Sequence, residues 1–423
     1  MPEREPEEAG GTDRPLPWSG TADKGSYYRL FVAYVMALFA TGVATVALSI
    51  FAYAIAPDHA GSVLGTALSL KALAYVLGAP LAAVVTLHLP RKPLLIMLDL
   101  LRAGSLFLLP FITAAWQVFI IVFVFTLSSA VFTQVYQTVV PYLLARREDY
   151  IQSVARSRIA SELEGSVSPL LAAGFLLILA PRDLFVFMAL VFLVSAWLVQ
   201  RARLPRHTAQ PGGSLVERMF RGPRLLLRTP DLRGLLALHV AVACASAMVM
   251  VNTVVLVQGE FGLDRQASAR AFAAFGFGAI LGAMTLIPSL RNLPERAVML
   301  GGSALTCLGL LAGALFATDY HGLLAVWVVI GLGTSMALTP AVFLIRRIAR
   351  PGDTQLLFAG QISLANGFLL LGYSAAGWLG EVMGLTQTFI ILALVGVFAT
   401  IAAGKLWPPS FSVKAPRGAE PPD

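Results

Sequence analysis

Polar and apolar positions in this chain do not alternate; they fall into long continuous apolar runs separated by short charged connections. The runs lie near 30–56, 62–88, 93–113, 115–140, 159–180 and 183–200, and, after a polar interval, near 234–258, 267–290, 297–317, 322–345, 355–379 and 385–405. A helix needs about 20 mostly apolar residues to cross about 30 Å of hydrocarbon. Backbone in lipid must satisfy its own hydrogen bonds, which leaves helices or a closed barrel, and barrel strands alternate apolar with polar positions. The pattern predicts an all-α membrane protein with twelve transmembrane helices, six on each side of the interval.

Composition agrees with lipid as the main solvent. Of 423 residues, 57% are hydrophobic and 13% charged, against about a quarter charged in soluble domains. That balance excludes a soluble enzyme, a disordered chain and a secreted disulfide scaffold. Two cysteines, Cys244 and Cys307, sit inside apolar runs and offer neither a disulfide framework nor a thiolate cluster.

The net charge of +8 gains meaning from its placement. All but five of the 31 Lys and Arg fall in the two tails and in the connections after spans 2, 4, 6, 8 and 10. The exceptions are Arg182, Arg265 and Arg270 in the opposite loops, and Lys71 and Arg102 inside spans. Basic residues are retained on the cytoplasmic side, so both termini are expected there, in a plasma (inner) membrane protein. Charges spread over seven segments do not make a nucleic-acid surface, and no nucleic-acid partner is expected. Residues 1–29 read as a disordered cytoplasmic tail and 406–423 as a second tail. The interval 201–233, with eight Arg and a Gly-rich stretch at 210–214, reads as a cytoplasmic linker. It divides bundles at 30–200 and 234–405, and a short amphipathic helix from Ser214 to Arg228 is expected to lie on anionic lipid.

The halves repeat one another. At an offset of 203, Arg147 falls on Arg350, Gln152 on Gln355, Ile159 on Ile362, Ala172 and Ala173 on Ala375 and Ala376, and Gly174 on Gly377. Two similar six-helix bundles related by an axis along the membrane normal can rock around a central site.

At this point the chain resembles the major facilitator superfamily. After span 2, Ala83-Val-Val-Thr-Leu87-His88-Leu-Pro-Arg91-Lys92 is similar to the family's G-x-x-x-D-R-x-x-R-K signature, with Ala, Leu and His where Gly, Asp and the first Arg would stand. Asp99-Leu-Leu-Arg102-Ala resembles the start of span 3 in the branch containing enterobactin exporters and macrolide efflux proteins. Val140-Pro141-Tyr-Leu and Ser157-Arg158 fit the same branch. Ser168-Pro169-x-x-Ala172-Ala173 resembles the antiporter motif G-P-x-x-G-G, with small residues in place of its glycines. The resemblance implies a secondary transporter with a cavity lined by spans 1, 4, 7 and 10, and it favours efflux.

Ionisable groups inside a membrane mark a pathway or a structural pair. The first half holds Lys71, Asp99, Arg102, Glu162 and Glu164, whereas the second holds only His239, near the start of span 7. Counted from the apolar boundaries at about 1.5 Å per residue, Asp99, Arg102 and Glu164 fall about 9, 13 and 8 Å deep. Two readings stand side by side. Asp99 or Glu164 clamps Arg102 or Arg158 to hold an inner gate, or Glu164 carries the coupled proton. Lys71, with Tyr75 at i+4, either snorkels outward or serves as a cavity cation.

Uncharged polar residues trace candidate cavity faces: Thr41, Thr45 and Ser49 in span 1, and Thr126, Ser129, Thr133, Tyr136 and Gln137 in span 4. Span 7 adds Asn252, span 10 Ser335 and Thr339, and span 11 Gln361, Asn366 and Tyr373. Such a lining suits an amphipathic organic solute. No phosphate-binding loop, metal spacing or Ser-His-Asp set occurs, so no cofactor, metal or enzymatic activity is expected. The expected function is proton-coupled efflux by a monomer whose partners are solute, protons and lipid. Proton-coupled uptake, and a non-transporting membrane sensor, are the alternatives.

Overall fold

A computed structural model describes residues 23–55, 59–144, 147–204, 215–292, 294–317, 319–348 and 354–407. The described residues are all-helical. In order they form α1 (Lys24–Ile55), α2 (Ala60–His88), α3 (Arg91–Leu108), α4 (Ala115–Leu143), α5 (Arg147–Leu176), α6 (Pro181–Arg201), α7 (Leu215–Arg228), α8 (Pro230–Val254), α9 (Arg265–Asn292), α10 (Glu295–Phe316), α11 (Tyr320–Leu338), α12 (Ala341–Ile348), α13 (Thr354–Met383) and α14 (Leu385–Leu406).

Among the described residues, eleven helices are long and apolar enough to span a bilayer. α5 is the twelfth: its first half is too polar to qualify and only Val167–Leu176 is continuously apolar. Several boundaries move for identifiable reasons. α1 begins inside the expected tail because Asp23 caps it, accepting from the Ser26 amide at 3.0 Å and the Ser26 hydroxyl at 2.7 Å. The Ser26 partner holds the Asp23 carboxyl below its ordinary range. Span 10 is broken into α11 and α12 by Pro340, whose ring and missing N–H interrupt a helix. α8 continues as a wide π-helical turn over Val255–Glu260. The tail residues 1–22 and 408–423 and the Gly-rich stretch 210–214 lie outside the described residues.

Helix pairings in α1–α6 recur in α8–α14. The contacts α1 with α5 and α6, α2 with α4, and α3 with α4 and α6 are matched by α8 with α13 and α14, α9 with α11, and α10 with α11 and α14. The two bundles meet through α2 against α13 and α5 against α9, a repeat of the same kind. Lipid tails are as apolar as the helices, so close packing of small residues holds such crossings rather than exclusion of water. Gly61 and Gly65 of α2 touch Gly377 of α13 backbone to backbone: a Cβ on Gly377 would stand 2.7 Å from the Gly61 carbonyl.

The apolar core is joined at one end and divided at the other. A large cluster containing Val46, Leu64, Met248 and Phe272 runs through both bundles at the end where α2 begins and α8 finishes. Toward the end that carries most of the basic residues it separates. One cluster, with Tyr34, Leu95 and Phe132, belongs to the first bundle alone; another, with Leu235, Ile345 and Trp407, belongs to the second. α7 joins the latter. Leu226 is buried against it, and the α7 backbone at Gly222 lies against Gly360 of α13. The apolar side expected to face lipid thus packs in part on protein, while Arg221, Arg224 and Arg228 are exposed.

Candidate transport cavity

Between the bundles lies a cavity of about 430 Å³, within the range of about 300–1,000 Å³ typical of small-molecule sites. α1, α2, α4 and α5 wall one side, and α8, α9, α11 and α13 the other. It sits where the continuous core gives way to the divided one.

Two charges face into it from the first bundle. Lys71 donates from Nζ to Thr45 Oγ1 at 2.6 Å and lines the cavity rather than the lipid. The Glu164 carboxylate is within electrostatic reach of Lys71 and of the Tyr75 and Tyr373 hydroxyls. The shallow depth derived for Glu164 is corrected by the start of α5 at Arg147: Glu164 stands just past the middle of the helix, close to the level of Lys71 in α2. Gly42 of α1 leaves the notch that this carboxylate fills, since a Cβ there would meet Glu164 Oε1 at 2.4 Å and Ser168 Oγ at 2.3 Å.

The surrounding hydroxyls and amides are largely spoken for. Thr41 donates to the Ala37 carbonyl at 2.8 Å, Thr45 to that of Thr41 at 2.8 Å and Thr133 to that of Ser129 at 3.0 Å. Across the cavity Asn366 donates to the Ile362 carbonyl at 2.8 Å, and Ser335 and Thr339 share a bond at 3.4 Å. His239 donates from Nδ1 to the Leu235 carbonyl at 2.8 Å, so its Nε2 accepts from Gln361 Nε2 at 3.3 Å.

Of the sequence candidates, Thr41, Thr45, Lys71, Tyr75, Thr133, Glu164, Ser335, Thr339, Gln361, Asn366 and Tyr373 therefore share one cavity. Gln137 lines a smaller pocket of about 80 Å³ toward the basic end, beside the stacked rings of Tyr34 and Tyr136. Thr126 and Ser129 are buried in the α4 packing and line neither pocket. Ser49 donates to the Thr45 carbonyl at 3.2 Å and reaches that of Met250 at 3.4 Å in the joined end. Asn252 donates to the Ala376 carbonyl at 3.2 Å. Asp99 and Arg102 pair with each other, 0% and 1% exposed. Ser195 of α6 donates to Asp99 at 2.9 Å, and the Arg102 guanidinium lies over the Phe132 and Phe192 rings at 4.1 and 4.6 Å. That pair knits α3 to α4 and α6 inside one bundle rather than bridging the two. The side chains of Arg158, Glu162, Ala83, Leu87 and His88 lie outside those described.

Tyr34, Gln134, Ser161, Ser168, Ser246 and Thr334 also line the cavity, and the sequence reading did not single them out for it; His239 was noted only for its place in span 7. Spacing could have found several. Tyr34 precedes Thr41 by seven residues on one helical stripe, and Ser161, Glu164 and Ser168 step by three and four.

At the joined end, polar contacts cross between the bundles. The Ser69 and Ser374 hydroxyls lie 2.8 Å apart, and His59 Nδ1 is 2.6 Å from Glu381 Oε1. At the divided end no apolar cluster crosses, among the described residues. The cavity is thus closed toward the joined end.

Known structures share this architecture. A point-mutant crystal structure of nucleoside transporter NupG superposes with a TM-score of 0.71 at 14% identity, covering 90% of this chain and 100% of that one. A POT family transporter in complex with 5-aminolevulinic acid gives 0.69 at 13% identity, over 94% and 99%. A bacterial homologue of the human lysosomal transporter Spinster, in an inward-facing and unoccupied conformation, gives 0.66 at 14%, over 92% and 98%. Likeness at this identity speaks to fold alone. No curated protein matches the sequence. The family model for the Major Facilitator Superfamily matches residues 30–293 and 238–422. Twelve-span architecture, paired bundles and a central cavity thus agree with the family match: the chain belongs to the Major Facilitator Superfamily and is a multi-pass membrane transporter.

Proposed function

We propose that this transporter exports a small amphipathic organic solute in exchange for protons, by alternating access to the central cavity. One observation carries the reading: an ammonium and a carboxylate, Lys71 and Glu164, lie within electrostatic reach in a cavity otherwise lined by hydroxyls, amides, the His239 imidazole and apolar groups. An intramembrane charge costs several kcal/mol unless compensated, and Lys71 makes an ionised Glu164 tolerable at that depth. A proton and the hydrogen-bond donors of a solute then compete for the same carboxylate. Whichever binds displaces the other, which is the requirement for exchange rather than co-transport.

In this proposal both termini and the linker 201–233 face the cytoplasm of a plasma (inner) membrane, the bundles at 30–200 and 234–405 rock as units, and a monomer suffices without a cofactor. The divided end is then the cytoplasmic mouth. The antiporter-like Ser168-Pro169 segment and the Asp99–Arg102 segment within α3 favour the efflux branch. Lys71 also supports a second reading, uptake of an anionic solute together with a proton.

The test is reconstitution in liposomes with an imposed pH gradient and a panel of amphipathic fluorescent amines, zwitterions and carboxylates. Exchange requires that a solute move against the proton flow and that Glu164→Gln uncouple it. Solute accumulating with the proton flow selects uptake. Movement by Glu164→Gln as fast and as gradient-driven as the parent would remove Glu164 from the mechanism.

A further inference from the structure

Many Ser and Thr residues of the spanning helices follow a habit that Ser168, like Thr126 and Thr334, breaks. Thr41, Thr45, Ser129 and Thr133 each donate to the carbonyl four residues earlier, the usual way a hydroxyl is satisfied inside a helix. Ser168 is 2% exposed, and its Oγ has no hydrogen-bond partner. It is turned instead to the Gly42 notch. Ser168 Oγ and Glu164 Oε1 lie 2.3 and 2.4 Å from the single point where a Gly42 Cβ would stand. The two oxygens therefore share one small space, a helical turn apart on α5. Pro169 follows directly, and without an N–H it cannot donate to the carbonyl four residues earlier.

A carboxylate and a carboxylic acid need opposite partners. The ionised form only accepts, and Lys71 supplies positive charge within reach. The protonated form carries an O–H that must donate. We propose that Ser168 is the positioning residue for the protonated state of Glu164: its Oγ accepts the carboxyl O–H when Glu164 takes up a proton. This rests on the proton-exchange reading and extends it by giving the proton a bound resting place. The step is a simple addition of one proton to one carboxylate oxygen; the carboxyl then turns from the Lys71 side toward Ser168. The other titratable groups lining the cavity are Tyr34 from α1, Lys71 and Tyr75 from α2, Tyr373 from α13 and His239 from α8, while the α9 wall offers Phe275 and Ala279.

The test needs no solute. Infrared difference spectra of purified protein in lipid, titrated with acid, report a carboxylic-acid carbonyl band that is lost in Glu164→Gln. In Ser168→Ala the band should titrate about one pH unit lower, the tenfold effect of one lost hydrogen bond, and shift in frequency. Ser168→Cys, which keeps a weak acceptor, should fall between. A band with the same midpoint and frequency in Ser168→Ala as in the parent would overturn the role of Ser168 and leave proton exchange standing. Absence of any Glu164-dependent band in the parent would overturn proton exchange at Glu164 and this inference with it. Thermal unfolding of Ser168→Ala near the parent value guards against a folding defect, and if it unfolds, Ser168→Cys alone decides by the same comparison of midpoints.

Discussion

Gly42 is the position where a single methyl group tests the cavity's geometry. A Cβ there would stand 2.3 Å from Ser168 Oγ, 2.4 Å from Glu164 Oε1 and 2.5 Å from Ser168 Cβ, whereas ordinary contact begins at 3.4 Å. Glu164 and Ser168 must retreat, or α1 and α5 must part, by about 1 Å, the difference between those distances. Overpacking of this kind costs about 1–3 kcal/mol, which a folded bundle can absorb. The functional cost is steeper, because a misplacement of about 1 Å in a working group lowers rates on the order of a hundredfold. Gly42→Ala should therefore be made and folded, yet transport about two orders of magnitude more slowly, measured as initial rates in proteoliposomes per protein incorporated. Adding Glu164→Asp shortens the obstructed side chain and relieves one of the two collisions. The double variant should then recover part of the rate that Gly42→Ala loses relative to Glu164→Asp alone, a coupling that a double-mutant cycle isolates. Parental rates in Gly42→Ala, or strictly additive effects in the cycle, would refute the notch.

Three further outcomes follow from other contacts. Asp99→Ala leaves the Arg102 guanidinium buried without its carboxylate and should cost about 3–5 kcal/mol, while Asp99→Leu with Arg102→Met should cost less; denaturant unfolding in micelles checks this, and a single-variant loss below about 1 kcal/mol would contradict it. Ser69→Cys with Ser374→Cys places two thiols where hydroxyls lie 2.8 Å apart across the bundles. Oxidation should stop transport and reduction restore it, whereas continued transport by a fully oxidised pair would mean that the joined end never opens. Lys71→Ala should weaken movement of anionic solutes in the panel more than it lowers protein level, and equal losses of both would remove Lys71 from solute handling.

The fold was legible because lipid leaves so few choices: uninterrupted apolar runs dictated helices, and their six-plus-six spacing suggested paired bundles. Where charge diluted the pattern, the reading slipped. α5 starts at Arg147 with a polar half, so counting depth from the apolar edge at 159 put Glu164 too near the surface and hid its neighbour, Lys71. Periodicity identifies a stripe on one helix but not which stripe of another helix it meets. Thr41, Thr45 and Ser49 read as one face, yet four-residue steps drift by about 40° each on a helix of 3.6 residues per turn. By Ser49 the stripe has left the cavity for the Met250 carbonyl. Asn252, polar and near the end of α8, donates to the α13 backbone, which no local signal reveals. Asp99 and Arg102 were readable as a pair, but their burial under Phe132 and Phe192 depends on three helices meeting.

The separation of the apolar core has a mechanical corollary. Because each bundle keeps its own apolar cluster toward the basic end, among the described residues, the rocking proposed above would move walls that are already folded. At the opposite end the same rocking would tear and remake one shared cluster in every cycle, and lipid cannot fill the rift. The proposed cycle is thus hinged unevenly, with a back that resists, and its slow stroke should be the parting of Gly61 and Gly65 from Gly377.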